Sequence, residues 1–477
     1  MRASQFIKLI ILFFYTIGCA NKSHEESAND NNIKDIPVST NIVVPDTFDA
    51  GKVIAHVFCK AEAAQSYALY IPPKHNNEAL PVIYFFDPHG DGSFPLGKYK
   101  ALADVYNFIL IGSNNSKNGN DWSTSENIWS AMFDDSQKRL KINSKRIYTC
   151  GFSGGAKVAS WIGLHHNEVK GVIANGAGLP DVTSAGNFHF SFTAIAGEGD
   201  MNMTDLVAIT NELDKTQTMH RIIFFDGKHE WAPENIMNIA FTGLQLDAMH
   251  EKLIPGDDTF ISNYIAGSKK RIAVYSTTNN FIKAEAECKL SISLLNGLTI
   301  DVAWFKEKDV SLKNNPVYQK QLQTQQKLLV AEQNLKTLYM QQFQQGDVNY
   351  WIKTISDLQT KSKTQTAEGA MYQRLLAYLS LAFYSISNQL ITNGQNNEAK
   401  YFVDLYKMAD STNSEAWYFS SILNARDNNT KATEDDLLKA VEYGFTDKSR
   451  MMQQPEFKTP GTLINLREIE SKMKKGE

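Results

Sequence analysis

Short apolar runs alternate with longer amphipathic stretches along residues 51–245. Lys52–Lys60 and Gln65–Pro72 carry Ala55, Val57, Tyr67, Leu69 and Ile71 at every second position, which predicts two antiparallel strands. Pro81–Phe86 is a continuous apolar run, as expected of a strand covered on both faces. Further strands are predicted at Phe108–Gly112, 146–150, Val169–Ala174, Phe190–Ala196 and His220–Phe225. Helical patterns at Lys98–Tyr106, Glu126–Leu140, 155–165 and Met203–Lys215 fall between them. Such alternation predicts an α/β fold, a doubly wound and mostly parallel sheet with helices on both faces. The polar or glycine-rich loops after 81–86, 146–150, 190–196 and 220–225 then share the carboxyl edge of the sheet, where active residues of such folds gather.

Past residue 245 the strand signals fade. Gln319–Gln344, Glu368–Leu390, Asn413–Asn424 and Glu434–Tyr443 carry helical patterns, with Met371, Leu375, Leu379 and Phe383 at helix spacing. The chain therefore divides into an α/β domain over 46–245 and an all-α helical domain over 246–477. The uncharged run Leu375–Ile391 has the length of a short membrane span, but its Tyr, Ser, Asn and Gln content predicts a buried helix instead. Ala416-Trp417-Tyr418 and Ala440 to Phe445 faintly resemble a tetratricopeptide helix pair, although no clean period of about 34 residues is visible.

The first residues have another pattern. Met1-Arg2 and Lys8 flank the apolar run Leu9–Tyr15, which ends in Thr16-Ile17-Gly18-Cys19. A basic start, a short apolar core and small residues predict a secretory signal over 1–18, too short to span a membrane. Gly18-Cys19 resembles a bacterial lipobox, which implies lipidation of Cys19 and a membrane-anchored exported protein; a plain signal peptide is the alternative. Residues 19–45 are polar and rich in Asn and Ser, as expected of a flexible tether.

The 477 residues are 43% hydrophobic and 21% charged, the balance of an ordinary folded protein, and the net charge of −4 gives no support for nucleic-acid binding. Cys59, Cys150 and Cys288 form no C-x-x-C pair, so neither a disulfide framework nor a zinc site is indicated, and a bridge between two of them stays open. His229-Glu230 lacks the second histidine of H-E-x-x-H because Pro233 stands there. No cofactor or metal is expected.

The strongest chemical signal is Gly151-Phe152-Ser153-Gly154-Gly155, between a predicted strand and a predicted helix. A serine on so tight a turn exposes its hydroxyl and meets the first amides of the helix. A serine hydroxyl needs an imidazole to take its proton and a carboxylate to orient that imidazole. The order Ser…Asp…His after successive strands is met by Ser153, Asp200 and His229. Glu198, Asp205 and Asp226 lie close enough in sequence to replace Asp200. Trp231 is equally a wall of the substrate site or a core residue.

The elbow, Gly197-x-x-Asp200 and His229-x-Trp231 together resemble the α/β-hydrolase superfamily, in particular its polyhydroxybutyrate-depolymerase and feruloyl-esterase types. The resemblance covers under half of the chain. It implies Ser153 as nucleophile, His229 as general base and Asp200 as the acid member. It also implies an oxyanion hole from Gly154 N–H and an amide of the His89-Gly90-Asp91 loop, which departs from the usual His-Gly-Gly. The short connection from 175 to 187 leaves no room for a lid, which suits a bulky, polymer- or carbohydrate-linked ester. A serine peptidase is the nearest alternative; an inactive scaffold whose helical domain binds a protein partner is the rival from another class.

Overall fold

The computed structural model describes residues 47–74, 78–180, 185–458 and 464–473. The expected signal, Cys19 and the tether lie outside them. The first part of the chain runs β1 (Ile54–Phe58), β2 (Ser66–Tyr70), β3 (Leu80–Phe86), α1 (Ser93–Tyr106), β4 (Ile109–Ser113), α2 (Trp122–Arg139), β5 (Ile142–Phe152) and α3 (Gly154–His165). It continues through β6 (Val169–Asn175), β7 (Ser191–Gly197), α4 (Met203–Leu213), β8 (His220–Phe225) and α5 (Glu234–His250). The eight strands form one sheet in the order β1-β2-β4-β3-β5-β6-β7-β8. β1 and β2 pair antiparallel, β2 pairs antiparallel with β4, and every pair from β4 to β8 is parallel. This is the mostly parallel, doubly wound α/β sheet that the sequence predicts, with a large helical region after it.

Strand period sorts the side chains onto two faces. Ile83 and Phe85 point into one core with Tyr99 and Leu102 of α1 and Phe241 and Leu244 of α5. Val82, Tyr84 and Phe86 enter the other with Trp129 and Met132 of α2, Ala156 and Val158 of α3, and Leu206 of α4. Two helices begin earlier than their periodicity suggests, because local caps extend them. The Asp121 carboxylate accepts Thr124 N–H at 2.7 Å and starts α2 at Trp122. Asp91 Oδ1 accepts Ser93 N–H and Phe94 N–H at 3.1 and 3.2 Å, and Pro95 sits in the first turn of α1.

A division between 245 and 246 falls inside α5. Beyond it, α6 (Asp258–Thr277), α7 (Phe281–Leu295) and α8 (Val302–Lys313) bury Ile261, Ile265, Leu290, Leu294, Phe305 and Leu312 in the same core as Phe241 and Leu244. By burial these helices belong with the sheet. Their sequence has no strong period, so the chain text gave no sign of this attachment. Ser293 Oγ–H of α7 donates to His220 O at 2.8 Å, on the outermost strand β8.

The long α9 (Pro316–Gln345) carries the chain away, from Leu329 against the α2–α4 core to Tyr339 and Phe343 in a third core. α10 (Val348–Lys361), α11 (Ala367–Thr392), α12 (Asn396–Ala409), α13 (Ser414–Arg426), α14 (Thr430–Glu442) and α15 (Lys448–Gln453) build that core, which Phe457 and Ile469 also enter. The apolar run of α11 is buried in it through Met371, Leu375, Leu379, Phe383 and Ile386.

Candidate active site

β5 ends at Phe152 and α3 begins at Gly154, so Ser153 alone makes the turn, with φ 53° and ψ −123°. A non-glycine residue there is strained by about 1–3 kcal/mol and must be held by its surroundings. The holding is visible. Ser153 N–H donates to Asn175 O at 2.9 Å, and Ser153 O accepts Ala156 N–H at 3.0 Å. Strand and helix approach so closely that a Cβ on Gly151 would collide with Gly155 O, and one on Gly155 with Phe86 O.

The parallel register brings the other groups to the same edge, with Phe86 beside Gly151, Phe152 beside Asn175 and Gly197 beside Phe225. His229 Nε2 lies 2.9 Å from Ser153 Oγ, and its Nδ1 lies 3.0 Å from both Asp200 oxygens. One neutral tautomer makes all of these bonds: Nδ1–H donates to Asp200 and Nε2 accepts from the Ser153 hydroxyl. Asp200 is fully buried and His229 is 19% exposed on its side chain, so the carboxylate is shielded while the imidazole borders solvent. Asp200 Oδ1 also accepts Asn202 N–H at 2.8 Å. The other carboxylates turn elsewhere. Glu198 pairs with Lys283 at 2.8 Å, and Asp205 and Asp226 are exposed.

The loop after β3 differs from expectation because Asp87 organises it. Asp87 is buried; its Oδ1 accepts His89 N–H at 2.8 Å and its carbonyl accepts Gly90 N–H at 3.1 Å. The His89 and Gly90 amides are thereby engaged and unavailable as oxyanion donors. Asp91 is exposed, and its carboxylate caps α1. The His89 ring, 78% exposed, donates from Nδ1 to Asp87 Oδ1 at 3.2 Å, and this bond raises its pKa above the ordinary histidine value. Of the two readings of Trp231, wall of the substrate site or core residue, the structure has the second. It is 6% exposed, packs on Phe85, Tyr99 and Phe152, and donates Nε1–H to Asp87 Oδ2 at 2.8 Å. It is a core residue beneath the site, since the rings of Phe85, Tyr99 and Phe152 pack around the indole and leave it almost no exposed surface for substrate.

Two further residues border the site without any sequence motif to mark them. Asn175, fully buried at the end of β6, takes Ser153 N–H on its carbonyl. Its side chain accepts Ala232 N–H at 2.7 Å and donates to Glu230 O at 3.3 Å, holding the main chain on either side of Trp231, directly after His229. Asn118 follows β4; its N–H donates to Pro88 O at 2.8 Å, and His89 and Lys117 form a bridge beside it. Its carboxamide lies against Gly154, where a Cβ on that glycine would collide with Oδ1, and it has no hydrogen-bond partner among the described residues. Gly154 N–H opens α3 with no acceptor among the described residues, as first-turn amides do. No group of three or more His, Cys, Asp or Glu side chains suited to a metal occurs among the described residues.

No protein-family model and no curated protein matches the chain. Solved structures that resemble it include a hyperthermophilic esterase from Pyrobaculum calidifontis, 11% identical, covering 42% of this chain and 85% of that one at a TM-score of 0.34. An esterase from Rhizomucor miehei is 14% identical, with 41% and 84% of the two chains covered and a TM-score of 0.34. Pyrococcus horikoshii acylaminoacyl peptidase is 13% identical over 43% of each chain, with a TM-score of 0.32. Each is a likeness of fold, and the site stands on its own geometry.

Proposed function

We propose that the protein is a serine hydrolase of carboxylic esters. The observation that carries this reading is the continuous hydrogen-bond chain from Ser153 Oγ through His229 to the buried Asp200, mounted on a strained elbow. Ser153 Oγ attacks the ester carbonyl as its proton passes to His229 Nε2, and the Asp200 carboxylate stabilises the imidazolium that forms. The tetrahedral oxyanion is met by Gly154 N–H and by the Asn118 carboxamide. His229 returns the proton to the departing alcohol, leaving an acyl-Ser153 ester. Water then attacks that ester, gives its proton to His229, and the acid leaves with Ser153 restored. On the same reading the chain is exported, and Cys19 carries the lipid that holds it to a membrane.

A fluorophosphonate probe should label the full-length protein, and Ser153→Ala should abolish both labelling and hydrolysis of p-nitrophenyl acetate. A folded wild-type protein that neither reacts with the probe nor cleaves the ester would instead be a scaffold. Cleavage of an N-acyl p-nitroanilide in preference to the ester would turn the reading towards a peptidase.

A further inference from the structure

The two residues before Asp200 are gripped from the helical region. Arg374 of α11 donates from Nη1 to Glu198 O at 2.6 Å. Its Nε and Nη2 both donate to Glu332 Oε2 of α9, at 2.9 and 2.7 Å. The Arg374 and Glu332 side chains are only 5% and 1% exposed, and Lys336 holds the other Glu332 oxygen at 3.0 Å. A guanidinium fixed on two edges in this way is a rigid donor. Next to it, Gln373 fills the space beside Gly199, where a Cβ would collide with its Oε1.

What is gripped reaches the reacting groups by two routes. Glu198 and Gly199 lead directly into Asp200. They are also bonded to the His229 loop, because Glu198 N–H donates to Phe225 O at 2.9 Å and Gly199 N–H to Gly227 O at 2.8 Å. We infer that Arg374 is a positioning residue: through the Glu198 carbonyl it sets where Asp200 and His229 stand relative to Ser153. The helical region thus has a part in the reaction, although Arg374 is separated from Glu198 by 176 positions in the chain. The inference rests on the Ser153 hydrolase reading.

The test uses the full chain. Arg374→Met combined with Glu332→Gln removes the donor without stranding a buried carboxylate. Arg374→Lys keeps the charge but lacks the fork. Arg426→Met is the control, since Arg426 braces the third core through Glu456 and the Ile391 carbonyl, away from the 198–199 loop. Misplacing a catalytic group by about 1 Å costs on the order of a hundredfold. The double variant should therefore lose at least about tenfold in kcat for p-nitrophenyl acetate, with KM held within about twofold. Its fluorophosphonate labelling should slow in parallel, and Arg374→Lys should recover part of both. Arg426→Met should melt earlier yet keep its kcat. A folded double variant with wild-type kcat, or an equal loss in Arg426→Met, overturns the inference alone. A wild-type protein that the probe does not label overturns the Ser153 reading and this inference with it.

Discussion

Asn175 accepts the Ala232 N–H on its side chain at 2.7 Å while its main-chain carbonyl accepts the Ser153 N–H at 2.9 Å. One buried residue at the end of β6 thus fixes the elbow and the loop that carries His229. Asn175→Ala leaves the Ala232 amide and the Glu230 carbonyl without these partners, at a stability cost of about 1–3 kcal/mol. Urea melts should read that loss, and kcat/KM should fall by about tenfold or more because His229 is freed relative to Ser153. Wild-type kcat/KM in the folded variant would show that the loop holds itself.

Asn118 separates chemistry from folding more cleanly, since it is exposed and its side chain has no hydrogen-bond partner among the described residues. Asn118→Ala should leave the melting temperature within error and lower kcat by on the order of 10²–10³, the loss typical of one oxyanion donor. An unchanged kcat would assign the second donor to the main chain.

Two glycines should respond to alanine with opposite signs. At Gly155 a Cβ meets the Phe86 carbonyl, and backbone on both sides leaves it no space. Gly155→Ala should destabilise by about 3 kcal/mol, at the high end for overpacking, and abolish activity with it. Gly97 lies exposed in α1 with nothing near the added methyl, so Gly97→Ala should stabilise by about 0.5–1 kcal/mol. Parallel thermal melts compare the two.

The thiols give a pH prediction. Cys59, Cys150 and Cys288 are free and buried; burial pushes the Cys59 thiol up to about 11 and the Cys288 thiol to about 12, and Cys150 well above its usual value. The thiolate is the reactive form, and at pH 8 it amounts to about one Cys59 in a thousand. Iodoacetamide at pH 8 should spare all three in the native protein and modify all three in guanidinium, as peptide mass spectra would show. Labelling of Cys59 should climb about tenfold per pH unit towards pH 11. Fast native labelling at pH 8 would place these thiols outside the core.

Much of the sheet was legible because its strands are short apolar runs between turn-forming residues, a signal that survives without knowledge of neighbours. Ser153, Asp200 and His229 were legible for the same reason, as each follows the end of a strand and their order follows the sheet. The rest depends on distant partners. Nothing around Asn118 or Asn175 distinguishes them from ordinary loop asparagines; only the register of β4, β5 and β6 brings them to the elbow. Asp87 reads as a turn residue until Trp231, far along the chain, reaches its carboxylate, and only the packing around that indole decides between wall and core for Trp231. α6 to α8 escaped notice as part of the first core because their buried positions answer to α5 and β8, not to a strong period of their own.

The placement of α7 against β8 has a consequence for solubility. β8 is the last strand of the sheet, and Ser293 with its helix lies over the end at His220. An uncovered outer strand offers a row of main-chain donors and acceptors to any similar strand nearby. Cutting the chain at 245 to obtain a minimal enzyme would unveil the His220 end of that row together with the apolar faces of α5. The fragment should then self-associate into β-rich aggregates, whereas a chain ending after α8 keeps the cover.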